Sequence, residues 1–364
     1  MITISILIAL VGGTVYWGLH LESLGKDPQG ARQRRIEQSP HFRNGSFHNL
    51  TNTPVQSDDA NYFTLLNKFL FDKNPKVAPP APIPYVKTDL QLPPSAKPTI
   101  TYFGHSSYLL QIVGHNILVD PVFSARTSPV QFLGTKGFEG TLAYGLEDLP
   151  AIQYVLLTHD HYDHLDYPTI RQLASKDIHF ITALGVGAHL EYWGVPAQHI
   201  TELDWWEETT EIAGFKLTAT PARHFSGRGL KRGKTLWASY VLESAENRLY
   251  LGGDSGYERH FKEIGERFGP FDLVILECGQ YNRWWPYIHM MPEQTAQAAL
   301  DLKAKVLWPV HWGKFALAMH DWDEPAKRIY LKSQALNIPL AMPKIGQQIV
   351  LGEAMPHEAW WENI

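Results

Sequence analysis

Residues 157–164 read LTHDHYDH, which places three histidines and two aspartates within eight positions. Imidazole and carboxylate are ligands that zinc takes, and a surface loop has no need of so many directly after an apolar strand. His159 and His161 can point to one side of such a loop while Asp163 and His164, on the first turn of a following helix, serve a second site. One cluster can then feed two metals. Completing both sites takes further ligands, and His224 in TPARHFSGRG, Asp254 in LGGDSGY and His311 in PVHWGKF stand where apolar runs end. Singly each is weak, because a lone histidine at a strand end is more often a hydrogen-bonded structural residue. Their order and spacing change that weight.

The elements that must hold these residues are legible as short apolar or β-branched runs. AIQYVLLTHD is a strand running straight into the histidine cluster, and TITYFGHSSYLLQIVGHNILVDP reads as strand, strand and turn, punctuated by Gly104 and Gly114. FKLTATPARH, RLYLGGDSG, FDLVILECG and KVLWPVHWG are four more such runs, each ending in a polar residue or glycine, and TAQAALDLKA reads as a helix. This alternation is α/β. Polar residues at strand ends suit a reactive site, since the strand fixes the position and the following loop admits substrate.

The chain's 364 residues, 44 % hydrophobic, suffice for a large core. A formal charge of −5 argues against a general nucleic-acid binder, so no nucleic-acid partner is expected. The single cysteine, Cys278, excludes a disulfide framework and a Cys-rich zinc module, and reads as a small buried apolar residue. From Ile2 to Leu21 no charged side chain occurs, which makes residues 1–21 a candidate membrane anchor. A cleavable signal peptide would want basic residues before the run and a small-residue cleavage site after it, and neither is evident. Lys26, Arg32, Arg34 and Arg35 follow, so the positive-inside rule puts the catalytic domain on the cytoplasmic side. Residues 22–97 read as an extended arm, a helix from Asp59 to Lys73, and a tether with eight prolines between Pro75 and Pro98. The catalytic domain is expected over 98–364.

Other residues invite roles beside the ligands. Asp120, in LVDP, can accept a ring N–H from a ligand histidine, or be a plain turn aspartate; His105 can be a buried group behind a ligand or an ordinary core histidine. Four cations follow His224 in the run Arg228 to Lys234, and Arg228, Lys231 and Arg232 could hold an anionic headgroup, against the default of a solvated loop. Trp205-Trp206 and Trp284-Trp285 with Tyr287 could meet acyl chains or a bilayer, or simply pack.

As a set, THDHYDH, His224, Asp254 and His311 resemble the binuclear metallo-β-lactamase pattern over roughly residues 98 to 350. The resemblance implies a four-layered αββα sandwich with an N-terminal extension. It also implies two zincs per chain, one on His159, His161 and His224, the other on Asp163, His164 and His311, with Asp254 bridging. FGHSSYLL, LVDPVFSARTSPVQFLGTKGF, PARHFSGRG, GGDSGY, YIHMMPEQ, PVHWGKFAL and the upstream SPHFRNGSFHN are similar to N-acylphosphatidylethanolamine-hydrolysing phospholipase D and its bacterial relatives. His289 matches a position that this family keeps beside the metals. The implied activity is zinc-dependent phosphodiester hydrolysis of a phospholipid headgroup by a metal-bridging hydroxide, with Asp163, Asp254 and His289 as catalytic groups. The implied partners are a phospholipid and a membrane, and a homodimer is left open. A hydrolase of a soluble ester, lactone, β-lactam or cyclic phosphodiester is the alternative, and a non-catalytic membrane-attached binding protein the next. Manganese or iron at one site is not excluded by these ligand types.

Overall fold

The computed structural model of the protein describes residues 12–13, 16–58, 60–61, 67, 71, 74–91, 97–209 and 214–364. A hairpin of β1 (Phe42–Arg43) and β2 (Ser46–Phe47) precedes β3 (Thr99–Tyr102), β4 (Tyr108–Ile112) and β5 (His115–Val119). A small ribbon of β6 (Arg126–Thr127) and β7 (Thr135–Lys136) leads to β8 (Tyr154–Leu157), β9 (His179–Ala183) and β10 (Ile200–Leu203). Then come β11 (Glu208–Thr209), β12 (Phe215–Thr220), β13 (Ser239–Ser244), β14 (Arg248–Leu251), β15 (Leu273–Glu277), β16 (Leu307–Val310) and β17 (Gln348–Val350). Every residue of β3 and β4 is buried, as is every residue of β15 and β16. Strands covered on both faces need continuous rather than alternating apolar sequence, and TITY, YLLQI and LVILE come close to it.

Two sheets result. One has seven strands in the order β10-β9-β8-β5-β4-β3-β17, the other six in the order β11-β12-β13-β14-β15-β16. They face one another through the core, where the rings of Tyr102 and Tyr108 stand edge-on to Trp308 at 5.2 and 5.3 Å, and the Tyr240 hydroxyl donates to the Leu157 carbonyl at 3.0 Å. Helices α2 (Tyr167–Leu173) and α3 (Gly187–Tyr192) belong to the first sheet's crossovers, following α1 (Gly30–Gln38) of the arm. Helices α4 (His260–Phe268), α5 (Pro292–Asp301) and α6 (Glu324–Leu336) serve the second, with α5 packed on β15 and β16. The layers are α, β, β, α. Helix α5 starts where Pro292 tolerates the missing N–H of a first turn and Gln294 turns back to accept from the Met291 N–H at 2.9 Å.

Register delivers the site. Parallel pairing sets Val119 of β5 opposite Leu156 of β8, and Glu277 of β15 opposite Val310 of β16. The segments that follow β5 and β8 therefore leave the first sheet at one end, and those after β15 and β16 leave the second together.

The arm and the proline-rich stretch are less detached than the sequence suggests. Ile36 of α1, Phe47, Ile83 and Leu90 lie in the same buried core as the strands. Proline forbids helix but leaves extended backbone that can dock, and the N–H groups of Ile83 and Val86 donate to Glu139 and Ile345 carbonyls at 2.8 and 2.7 Å. Most of the anchor candidate at 1–21 and of the helix expected over 59–73 lies outside the described residues. Among the described residues no helix is long and apolar enough to cross a membrane.

Candidate metal centre

The strand ends bring the clustered ligands together in two groups around one carboxylate. In the first, His161 Nδ1 lies 3.0 Å from His159 Nε2 and 3.1 Å from His224 Nε2. In the second, Asp163 Oδ2 lies 3.6 Å from His164 Nε2 and 3.9 Å from His311 Nε2. Asp254, from the loop after β14, divides its oxygens between them. Its Oδ2 is 3.8 and 3.7 Å from His159 and His224 Nε2, and its Oδ1 is 3.2 Å from His164 Nε2 and 3.1 Å from His311 Nδ1.

Hydrogen bonds behind the rings decide which nitrogen carries a lone pair inward. Asp120 Oδ2 accepts from His164 Nδ1 at 2.8 Å and from the Thr158 hydroxyl at 2.7 Å. With its proton so directed, Thr158 Oγ1 accepts from His159 Nδ1 at 3.0 Å, and the Ile288 carbonyl accepts from His224 Nδ1 at 2.9 Å. In each ring Nε2 is left as the inward lone pair, the arrangement that metal-ligating histidines adopt. The buried atoms His164 Nε2 and Asp254 Oδ1 have no hydrogen-bond partner. Convergent lone pairs, a shared carboxylate and orphaned polar atoms fit divalent cations better than a closed hydrogen-bond network.

Charge is sorted to match. Burial holds His159, His224 and His311 neutral, well below the ordinary imidazole range. Burial also opposes a charged His164, but Asp254, Asp163 and Asp120 around it raise its pKa well above the ordinary value, so a proton sits on Nε2 in the place a cation would take, and its loss on binding frees the lone pair. Asp163 and Asp254 stay ionised: burial pushes both up, and neighbouring histidines, His164 foremost, hold them well below the usual carboxylate range.

Strain marks the same place. His105, Asp120, Gln280 and His311 have φ of 58°, 39°, 61° and 69°, in the left-handed region that side-chain-bearing residues enter rarely. The His311 N–H donates to the His105 carbonyl at 2.9 Å, which ties two of these residues together, and a Cβ on Gly279 would strike the His311 carbonyl oxygen.

Asp120 lies behind His164, accepting from its Nδ1, and the buried His105 places Nε2 2.9 Å from Asp163 Oδ2. Asp163 and His164 do not lie on the first turn of a helix. They sit in an isolated turn closed by the Leu165 N–H on the His161 carbonyl at 2.7 Å, and α2 begins only at Tyr167. Pro168 is the cause, since inside a helix it would remove a bond to residue 164 and clash with that carbonyl. The basic loop also differs from expectation. Arg228 is buried, its guanidinium donating to the carbonyls of Ser23, Asp160 and Leu165 at 2.9, 2.8 and 2.7 Å, so it is a structural cation and not a substrate contact. Lys231 is exposed and paired with Asp27 at 2.9 Å. Arg232 lies 5.0 Å from the Phe225 ring. Cys278 is fully buried, Trp205 and Trp284 are buried, and Trp285 lines the mouth over the metal centre.

Sequence reasoning missed Glu277. It ends β15, its Oε1 lies 3.4 Å from His289 Nδ1, and it accepts from the Met290 and Ser255 N–H groups at 2.9 and 3.3 Å. Burial raises its carboxyl to about 7 against the pull of His289; burial likewise opposes a charged His289, and Glu277 lifts that imidazole above its ordinary pKa. The signal was present, a polar residue closing the apolar run FDLVILECG.

Two facing sheets with helices outside, and a buried His/Asp cluster at the strand ends, define a metal-dependent hydrolase of the β-lactamase fold. The chain belongs to the metallo-β-lactamase superfamily: the family model described as a beta-lactamase superfamily domain matches residues 115–312. An uncharacterized protein of Mycobacterium tuberculosis is 39 % identical over 343 residues, 93 % of this chain and 91 % of that protein. N-acyl-phosphatidylethanolamine-hydrolyzing phospholipase D 1 of Caenorhabditis elegans is 30 % identical over 234 residues, 61 % of this chain and 65 % of that one. Among solved structures, the metallo hydrolase Igni18 of Ignicoccus hospitalis superposes with a TM-score of 0.55 at 20 % identity, covering 71 % of this chain and 100 % of that chain.

Proposed function

We propose that this protein is a zinc-dependent phosphodiesterase that hydrolyses a phospholipid headgroup on the phosphatidate side, as a phospholipase D does. The observation that carries the reading is Asp254, one buried carboxylate with an oxygen facing each of two imidazole-rich groups. His159, His161 and His224 would hold one cation and Asp163, His164 and His311 the other, with Asp254 within reach of both groups. Cations bound there would supply a water acidified toward neutral pH and positive charge against a phosphoryl transition state. The chain supplies the rest. Asp120 and Thr158 fix the ring orientations, and His105 steadies Asp163. His289, backed by Glu277, faces the same mouth and donates a hydrogen bond to a phosphoryl or leaving oxygen.

The mouth supports a lipid substrate. It holds about 270 Å3 and is walled by Val55, Phe225, Trp285, Ile288 and Leu317 around the metal-centre histidines, an apolar funnel ending in polar groups. Similarity to the nematode phospholipase supplies the headgroup, an N-acylated phosphatidylethanolamine. Residues 1–21 hold the enzyme at the membrane with its catalytic domain on the cytoplasmic side, supported by the uncharged stretch and the basic residues after it.

Purified, metal-loaded protein is to be incubated with N-acylphosphatidylethanolamine in mixed micelles while phosphatidate and N-acylethanolamine are measured, alongside elemental analysis. Two zincs per chain with release of both products is the expected result. Zinc-loaded enzyme inert toward a panel of phospholipids would refute the reading.

A further inference from the structure

Beside the mouth lies a second cavity of about 320 Å3, walled in large part by the N-terminal arm. Arg43, Ser46, His48 and Asn52 line it from the arm, and Arg232 and Gly233 from the loop after His224. It adjoins the mouth, since Val55, His224 and Phe225 line both. Phe225 makes the junction explicit: its ring centre is 4.6 Å from that of His161 in the metal centre and 5.0 Å from the Arg232 guanidinium in the second cavity.

The arm is fastened here, not merely nearby. Asn49 Nδ2 donates to the His224 carbonyl at 2.7 Å, and Asn49 Oδ1 accepts the His224 N–H at 3.1 Å. The Phe47 N–H donates to the Gly233 carbonyl at 2.8 Å and Lys234 Nζ to the Gly45 carbonyl at 2.6 Å, so the hairpin is bonded to the 232–234 loop at two points.

No aspartate or glutamate lines the cavity. The neighbouring cations are occupied, Lys231 by Asp27, Lys234 by Gly45 and Arg223 by Thr53. Arg43 and Arg232 have no carboxylate partner among the described residues. Two guanidinium groups with polar neighbours and no acid favour a phosphate or carboxylate over a neutral group and repel an ammonium.

We propose that this cavity is an anion subsite that receives a second anionic group, phosphate or carboxylate, of a substrate whose reacting phosphodiester sits at the metal centre. The inference rests on the phosphodiesterase reading and sharpens it: the preferred headgroup carries its own negative charge. Arg43 and Arg232 hold that charge, and the hairpin's attachment to His224 sets its distance from the reacting phosphorus.

The test compares two phospholipids alike but for one charge, N-succinyl- and N-acetyl-phosphatidylethanolamine, with the metal-loaded full chain. A kcat/KM at least about tenfold higher for the succinyl lipid, falling to parity in Arg43→Gln/Arg232→Gln, is the expected result. Both side chains are exposed, so the variant's fold is not at stake. Equal rates on the two lipids would overturn the subsite and leave the phosphodiesterase standing. A preference that survives the double variant would overturn the assignment to these arginines, and no turnover of either lipid would overturn both readings. The deacylated pair distinguishes the source: the same preference there assigns the subsite to soluble phosphodiesters, and turnover of the acylated pair alone assigns it to lipids, the anion subsite standing in both cases.

Discussion

A single carboxylate, Asp120, orders three donors at once. Its Oδ1 accepts the Thr158 N–H at 2.9 Å, and its Oδ2 accepts both the Thr158 hydroxyl and His164 Nδ1. Asparagine tolerates the residue's positive φ but can accept at one end only, so Asp120→Asn must turn an N–H toward a donor whichever way it lies. The ring orientations of His164 and, through Thr158, of His159 are then lost. Metal affinity should fall about 10- to 100-fold, read by chelator competition, with the far-ultraviolet dichroism of the fold intact.

His260 gives a second prediction at this scale, on stability rather than catalysis. It is buried at the start of α4, Nε2 3.3 Å from the Ser255 hydroxyl, and burial lowers its pKa from 6.5 to about 3. Between pH 6.5 and about 3 the unfolded chain takes up a proton that the folded chain refuses, so stability is present above that window and lost as pH falls through it. The loss attributable to this one ring is up to about 5 kcal/mol. His260→Gln keeps a partner for Ser255 and cannot charge. Urea midpoints at pH 7 and pH 4 should therefore lie closer together in the variant than in the parent protein; equal spacing would show that His260 does not contribute.

At the scale of elements, Asn49 joins the hairpin to the metal centre through the two His224 bonds and a third, from Trp237 Nε1 to Asn49 Oδ1 at 3.0 Å. Asn49→Ala strips the buried His224 N–H and carbonyl of these bonds, while Trp237 Nε1 keeps the Ala222 carbonyl at 3.0 Å, and the loss costs about 1–3 kcal/mol in urea unfolding. The substitution should also weaken metal binding at the cluster that contains His224, by the same chelator measurement. This element was not legible in the sequence. Strands of two residues, FR and SF, carry no alternation, and the tie to His224 exists only once chain segments far apart have met. The ligand-bearing strands were legible, since YVLL and LWPV are continuous apolar runs ending in polar residues. Asp160 shows the limit of such reading. It shares the histidine cluster's loop, yet its carboxylate turns away to the Gly227 N–H, the Thr235 hydroxyl and His189, a direction set by packing and not by spacing.

For the whole molecule, Arg228 is the tie that the sequence disguised as a surface cation. Its charge lies between the rings of Tyr162 and Trp193, at 4.1 and 4.9 Å, while its nitrogens join the backbone near Ser23 to the segments at Asp160 and Leu165. Arg228→Met strands three carbonyls, each costing about 1–3 kcal/mol when left buried without its bond, and the loss should be read in urea unfolding. The same tie marks where the body of the protein begins. The Glu22 carbonyl accepts from Trp193 Nε1 at 2.8 Å and the Ser23 hydroxyl donates to the Pro129 carbonyl at 2.6 Å, whereas residues 16–20 are exposed or half-exposed. A chain starting at Glu22 should therefore keep its melting temperature and its turnover of detergent-dispersed lipid. If the uncharged stretch before it is the membrane attachment, the full chain co-sediments with phosphatidylglycerol vesicles and the shortened chain stays in the supernatant. Shortened chain that still sediments would move the attachment onto the folded body, where Phe132 and Leu133 stand 72 % and 67 % exposed beside Pro129.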